Sequence, residues 1–166
     1  EAWRKLFATE PVRWIAERVG YPADCGGLLV SGGNMANIVF FLAGRRAMLG
    51  DPVRAAGLAG AGAARARVYA STATHTWIQK AADVSGLGTD AIGWIQTDAA
   101  QRMDAALLRR RIREDLAAGA RPMMVIGTAG TVATGAIDPL RELADICREH
   151  QLWFHVDGAY GAPAAR

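Results

Sequence analysis

An α/β fold, a mostly parallel sheet with helices on both faces, is what this sequence predicts, and two observations predict it. Short, continuously apolar runs alternate with longer segments of helical periodicity, and glycine or proline signals separate them. Runs that are apolar throughout suit strands covered on both sides, as the strands of a parallel sheet are. Right-handed crossovers follow from that arrangement.

Residues 1–25 read as a helical approach segment, with Trp3, Leu6, Phe7, Trp14, Ile15 and Val19 as its apolar positions and Pro11 as an interruption. Residues 28–30 read as a first, short strand that ends in Ser31-Gly32-Gly33-Asn34. From 35 to 49 the chain is almost wholly apolar, which predicts a helix buried nearly all round. Residues 51–65 are rich in Gly and Ala without periodicity and read as a loop with one helical turn. Residues 67–70 form the second predicted strand, followed by a helix over 74–84 that Gly86 ends. A third strand over 92–96 precedes an amphipathic helix over 102–118, with Ala105, Leu108, Ile112 and Leu116 on one face and Gly119 as terminator. Residues 123–127 are the fourth strand. Asp138-Pro139 supplies a cap and a first-position proline for a helix whose Leu140, Leu143, Ala144 and Cys147 form one stripe. Residues 152–156 are the fifth strand.

Composition narrows the classes of function. In 166 residues of which 51% are apolar there is material for a real core, which excludes a disordered chain. A net charge of +3 without a long block of like charge gives no reason to expect nucleic acid or an anionic membrane as partner. Arg109, Arg110, Arg111 and Arg113 cluster, but Glu114 and Asp115 follow at once, so a solvated helix face is expected. Cys25 and Cys147 have no ligand-like spacing and read as reduced thiols of a cytoplasmic protein. No apolar run approaches the ~20 residues of a membrane span, and no signal peptide opens the chain. The chain begins with Glu1 and stops in a predicted loop over 158–166, so it is expected to be a piece of something longer.

In open α/β sheets ligands sit beyond the carboxyl ends of the strands, which makes the residues after each strand the candidates. Ser31-Gly32-Gly33-Asn34 leads into a helix, where two glycines and the free N–H groups of a helix start suit an anion such as phosphate. A plain turn with Asn34 as the helix cap is the bland alternative. At His75, also a helix start, an imidazole can stack on a flat ring or serve as a base; a purely structural histidine is the alternative. Thr128-Ala129-Gly130-Thr131 offers hydroxyls on a flexible turn. His155 and Asp157 share one strand face, but two ligands without a third at fitting spacing make a poor metal site. A carboxylate beside Gly158 and Ala159 suits a flat cationic ligand better. A phosphate cradle and an anionic partner for a ring nitrogen together fit pyridoxal phosphate (PLP).

The stretches 27–37, 68–75, 127–139 and 152–161 resemble, in order and at similar separations, the large domain of the PLP-dependent group II amino-acid decarboxylases, the family of the aromatic-L-amino-acid, tyrosine and glutamate decarboxylases. The resemblance covers roughly residues 26–161. It implies that 26–166 is part of a fold type I PLP-binding large domain, with Gly33 and Asn34 at the cofactor phosphate and His75 stacked on the pyridine ring. It also implies Thr128 hydrogen-bonded to the cofactor, Asp157 paired with the pyridine nitrogen and Ala159 packed under the ring. The activity implied is decarboxylation of an L-amino acid to an amine and carbon dioxide by a cytoplasmic homodimer. Asn34-Met35 stands where many relatives have Ser-Glu, and Gly158 replaces a common Ala. The family's Schiff-base lysine lies some thirty residues beyond the position of Asp157, outside this chain. Lys5 and Lys80 are the only lysines, and Lys80 is expected to point to solvent from mid-helix. The isolated chain is therefore expected to be inactive. Another fold type I enzyme, such as a sphingoid-phosphate lyase or an aminotransferase, and a non-catalytic fragment are the alternatives.

Overall fold

The fold was described from a computed structural model of the chain, covering residues 2–22, 24–60, 63 and 65–164, with side chains from residue 10 onward. Four strands, β1 (Ala66–Ser71), β2 (Ile92–Ile95), β3 (Arg121–Thr128) and β4 (Trp153–Asp157), form one parallel sheet in the order β2-β1-β3-β4. Helices α1 (Ala2–Val19), α2 (Gly33–Leu49) and α3 (Pro52–Gly60) precede β1. Then α4 (Trp77–Val84), α5 (Ala105–Ala117) and α6 (Leu140–Glu149) each follow a strand.

Side-chain alternation along the strands feeds two apolar layers. Val68 and Ala70 of β1, with Met124 and Ile126 of β3, face Phe41 of α2 and Trp77, Ile78 and Ala81 of α4. Tyr69 and Val125 point the other way, against Leu108 and Ile112 of α5 and Leu143 and Ile146 of α6. Both faces are covered, so the strands read as continuous apolar runs. Each of the large aliphatic and aromatic side chains among these contributes about 1.5–3 kcal/mol on leaving water.

Close approach explains Gly44. A Cβ there would lie 2.5 Å from Met124 Cε and 2.8 Å from the Trp153 ring, so α2 rests its backbone against β3 and β4. On the opposite face Tyr69 donates its hydroxyl to Asp115 Oδ2 (3.0 Å), which also receives Arg111 Nε (3.1 Å). Burial, reinforced by Asp115, pushes the Tyr69 hydroxyl pKa up. The arginine cluster is spent on such pairs: Arg109 with Glu149, Arg110 with Glu114, Arg111 with Asp115.

Four expectations need correction. Residues 28–30 are not a strand: they pair with no neighbour, and Leu28 and Leu29 are exposed. The helix after them is not buried all round. Only Asn37, Phe41, Gly44 and Leu49 are buried, because α2 meets the sheet and α4 on one side while Met35 and Phe40 face outward. The segment 51–65 holds a helix, α3, kinked at Gly57 (φ 67°); its residues 61, 62 and 64 lie outside the described residues, as do 165 and 166 of the predicted terminal loop. Asp138 does not cap α6. Pro139 stands at the cap without a side-chain bond, and Asp138 turns inward to accept from the backbone N–H of Met103 (2.7 Å) and of Thr128 (2.8 Å). Pro11, in contrast, is accommodated inside a single helix, α1.

Candidate functional site

The carboxyl ends of β1, β3 and β4 and the start of α2 surround a cavity of about 470 Å³. All six residues that the sequence offered as cofactor contacts, Gly33, Asn34, His75, Thr128, Asp157 and Ala159, line it. The register of the sheet accounts for part of this. Thr128 and Asp157 are directly opposed at the last rung of the β3–β4 ladder, so a hydroxyl and a carboxylate emerge side by side.

At the opposite wall α2 begins without a side-chain cap. Gly32 occupies the cap position at φ 90°, a left-handed conformation that suits glycine. Neither Gly32 nor Gly33 has crowded surroundings: a Cβ on Gly32 would meet nothing within 4 Å, and one on Gly33 only Ala159 Cβ at 3.7 Å. Asn34 therefore is not the cap. Gly33 and Asn34, in the first turn at the positive end of this 17-residue helix, line the cavity. A helix start of this kind can hold an anion.

Asp157 is buried, with Oδ2 accepting from Trp77 Nε1 at 2.7 Å and Oδ1 from the Ala159 N–H at 3.2 Å. His75 is exposed toward the cavity. Its Nδ1 accepts the Trp77 N–H at 3.2 Å, which leaves the ring proton of the neutral form on Nε2. Thr128 carries the oddest feature of the site. Its Oγ1 is buried and has no hydrogen-bond partner, although both its backbone groups are engaged with Asp138.

His155, one face-step before Asp157, is buried with Nε2 donating to Asn37 Oδ1 at 2.8 Å. Burial pulls its pKa from the ordinary 6.5 down to about 4, with Asp157 opposing the shift. The sign of the consequence is fixed. Between those values the unfolded chain binds a proton that the folded protein refuses, so stability is full above pH 6.5 and falls as pH drops toward 4. The span amounts to about 3 kcal/mol. Urea unfolding at pH 7 and pH 4.5 is expected to show most of that loss in the parent protein and much less of it in His155→Gln.

Thr131, offered with Thr128 as a hydroxyl on the turn after the strand, also lines the cavity, as does Asn37; Asn37 and Trp77, which donates to Asp157, were not foreseen as functional. Lys80 is exposed on α4, and among the described residues no lysine lines the cavity. No described helix is long and apolar enough to cross a membrane.

The pyridoxal-dependent decarboxylase conserved domain matches residues 6–165. An aromatic-L-amino-acid decarboxylase of Bacillus atrophaeus is 38% identical over 92% of this chain and 30% of its own length. An acidic amino acid decarboxylase of Bos taurus is 35% identical over 83% of this chain and 26% of its own length. Among solved structures, the glutamate decarboxylase domain of a diaminobutyrate-pyruvate transaminase and L-2,4-diaminobutyrate decarboxylase from Vibrio parahaemolyticus superimposes with a TM-score of 0.90 at 31% identity. It covers 97% of this chain and 35% of that one. This chain thus spans about a third of the length of the relatives it matches. With the parallel sheet, the strand-end cavity and a match that runs nearly the whole chain, the protein belongs to the pyridoxal-dependent decarboxylases, whose cofactor is pyridoxal phosphate.

Proposed function

We propose that the full-length protein decarboxylates an L-amino acid to its amine and carbon dioxide, and that residues 26–166 supply part of its PLP-binding domain. The observation that carries the reading is a single cavity with complementary ends: an uncapped helix start on one wall, and on the other a buried carboxylate beside a hydroxyl that lacks a partner. The orphaned Thr128 Oγ1 is the independent sign that these residues fit the cofactor. A buried hydroxyl without a hydrogen bond costs about 1–3 kcal/mol, a cost removed when a ligand oxygen meets it.

In this reading the N–H groups of Gly33 and Asn34 and the Asn34 side chain bind the phosphate. Asp157 holds a proton at the ring nitrogen, His75 lies over one ring face, and Gly33 with Ala159 keeps the slot flat. PLP supplies the sink for the electrons left at Cα when carbon dioxide departs. The carboxylate of Asp157 keeps that sink cationic. The substrate is an amino acid of unassigned side chain, since the relatives include both an aromatic and an acidic decarboxylase. A cytoplasmic homodimer is proposed as the working form; the two free cysteines, Cys25 and Cys147, accord with a reducing compartment. The test is to incubate the full-length protein and PLP with a panel of aromatic and acidic L-amino acids and measure released carbon dioxide. Release with one class, and none without PLP, is expected. Transfer of the amino group to an oxo acid without carbon dioxide would assign the aminotransferase alternative.

A further inference from the structure

Trp77, the first residue of α4, is fully buried, and the chemistry proposed above makes no use of it. Yet it touches both residues that flank the proposed ring site. Its indole Nε1 donates to Asp157 Oδ2 at 2.7 Å, and its backbone N–H donates to His75 Nδ1 at 3.2 Å. The indole is itself confined by edge contacts, with ring centroids 6.4 Å from Phe41 at 80° and 5.3 Å from His155 at 65°. His155 is in turn fixed by Asn37. An indole N–H only donates and does not titrate in the physiological range, so it orders the carboxylate without adding a charge to the site.

The geometry points to Trp77 as a positioning residue: its Nε1 holds Oδ2 while the longer Ala159 N–H bond (3.2 Å) engages Oδ1, which keeps the Asp157 carboxylate in one orientation with the second lone pair of Oδ1 turned to the PLP ring nitrogen. The inference rests on the role proposed for Asp157 and deepens it. One buried side chain then couples the residue that charges the ring to the residue that stacks on it. Loss of the indole N–H lets the carboxylate turn and weakens the contact that the ring nitrogen needs.

The test uses the full-length holoenzyme loaded with PLP carrying 15N in the ring, and reads two quantities: the PLP dissociation constant and the 15N resonance of the bound cofactor. Trp77→Phe removes the N–H. Benzothienylalanine placed at position 77 removes it while keeping the shape of the indole, which guards against a variant that fails to fold. Phe41→Leu disturbs the packing around Trp77 without touching its N–H. Both changes at position 77 are expected to raise the dissociation constant about tenfold, as fits a lost hydrogen bond to a charged group. They are also expected to move the 15N resonance toward that of neutral pyridine, with Phe41→Leu moving neither. A dissociation constant within twofold of the parent with an unmoved resonance, or an equal shift in Phe41→Leu, would overturn the inference. Asp157→Asn separates the two layers. If it leaves the resonance in place, the role of Asp157 fails and the inference with it; if only Asp157→Asn moves it, the inference alone fails.

Discussion

Replacing Asp157 with alanine in the full-length protein is expected to weaken PLP binding about a hundredfold and to reduce turnover to the limit of detection. A charge-assisted hydrogen bond in a dry site is among the strongest contacts available to a side chain, and its loss accounts for up to roughly two orders of magnitude in affinity. The substitution has a second cost. Trp77 Nε1 would be left buried without its acceptor, which destabilises the fold by about 1–3 kcal/mol. Asp157→Asn separates the two effects, because an amide oxygen still accepts from the indole while the charge at the ring nitrogen is gone. Titrating PLP into both variants and melting both apoproteins measures each contribution. Affinity unchanged in Asp157→Ala would sink the assigned role.

Asp138→Ala is expected to cost about 2–6 kcal/mol in stability, without the residue touching any ligand. Its carboxylate accepts two buried backbone N–H groups, of Met103 and Thr128, and its own N–H donates to the Thr128 carbonyl at 2.9 Å. Removing the carboxylate leaves two donors unsatisfied, each worth about 1–3 kcal/mol. Burial pushes the Asp138 pKa up while the two N–H bonds pull it down. Because the same carboxylate fixes the end of β3, Thr128 should lose its place as well. Denaturant unfolding of Asp138→Ala and Asp138→Asn should give a large loss in the first and a smaller one in the second, whose amide oxygen replaces one of the two acceptors. Equal stability of Asp138→Ala and the parent would contradict the assignment.

The layered fold was readable because strand and helix periods announce themselves locally. The runs at 67–70, 92–96, 123–127 and 152–156 each became a strand within one or two residues of their predicted bounds. The run at 28–30 looked the same in composition, yet a strand exists only where a neighbour offers its backbone, and no sequence window of three residues reveals that. Its Leu28 and Leu29 side chains stay exposed. Asp138-Pro139 misled for a related reason. The pair fits a helix start in isolation, but two buried amides, one of them 35 positions away on Met103, compete for the carboxylate and win it.

The site was legible where it hangs on strand ends. His75, Thr128 and Asp157 follow three predicted strands, and the parallel topology sets them around one cavity; Gly33, which also lines it, follows the run at 28–30 that is no strand. What surrounds them was not legible. Trp77 meets Asp157 across 80 positions and Asn37 meets His155 across 118. Nothing in the apolar pattern distinguishes Trp77 from the core residues Ile78 and Ala81 beside it. The signal available was weak: an indole one place inside a helix that starts beside the candidate His75, and an asparagine set in the buried stripe of α2, where a polar group needs a partner.

Diffraction from the full-length protein crystallised with PLP is expected to show the cofactor in the strand-end cavity, with phosphate density against the N–H groups of Gly33 and Asn34. The ring is expected between His75 and Ala159, with a hydrogen bond from its nitrogen to Asp157. A phosphate held elsewhere, or a ring nitrogen facing away from Asp157, would contradict this placement.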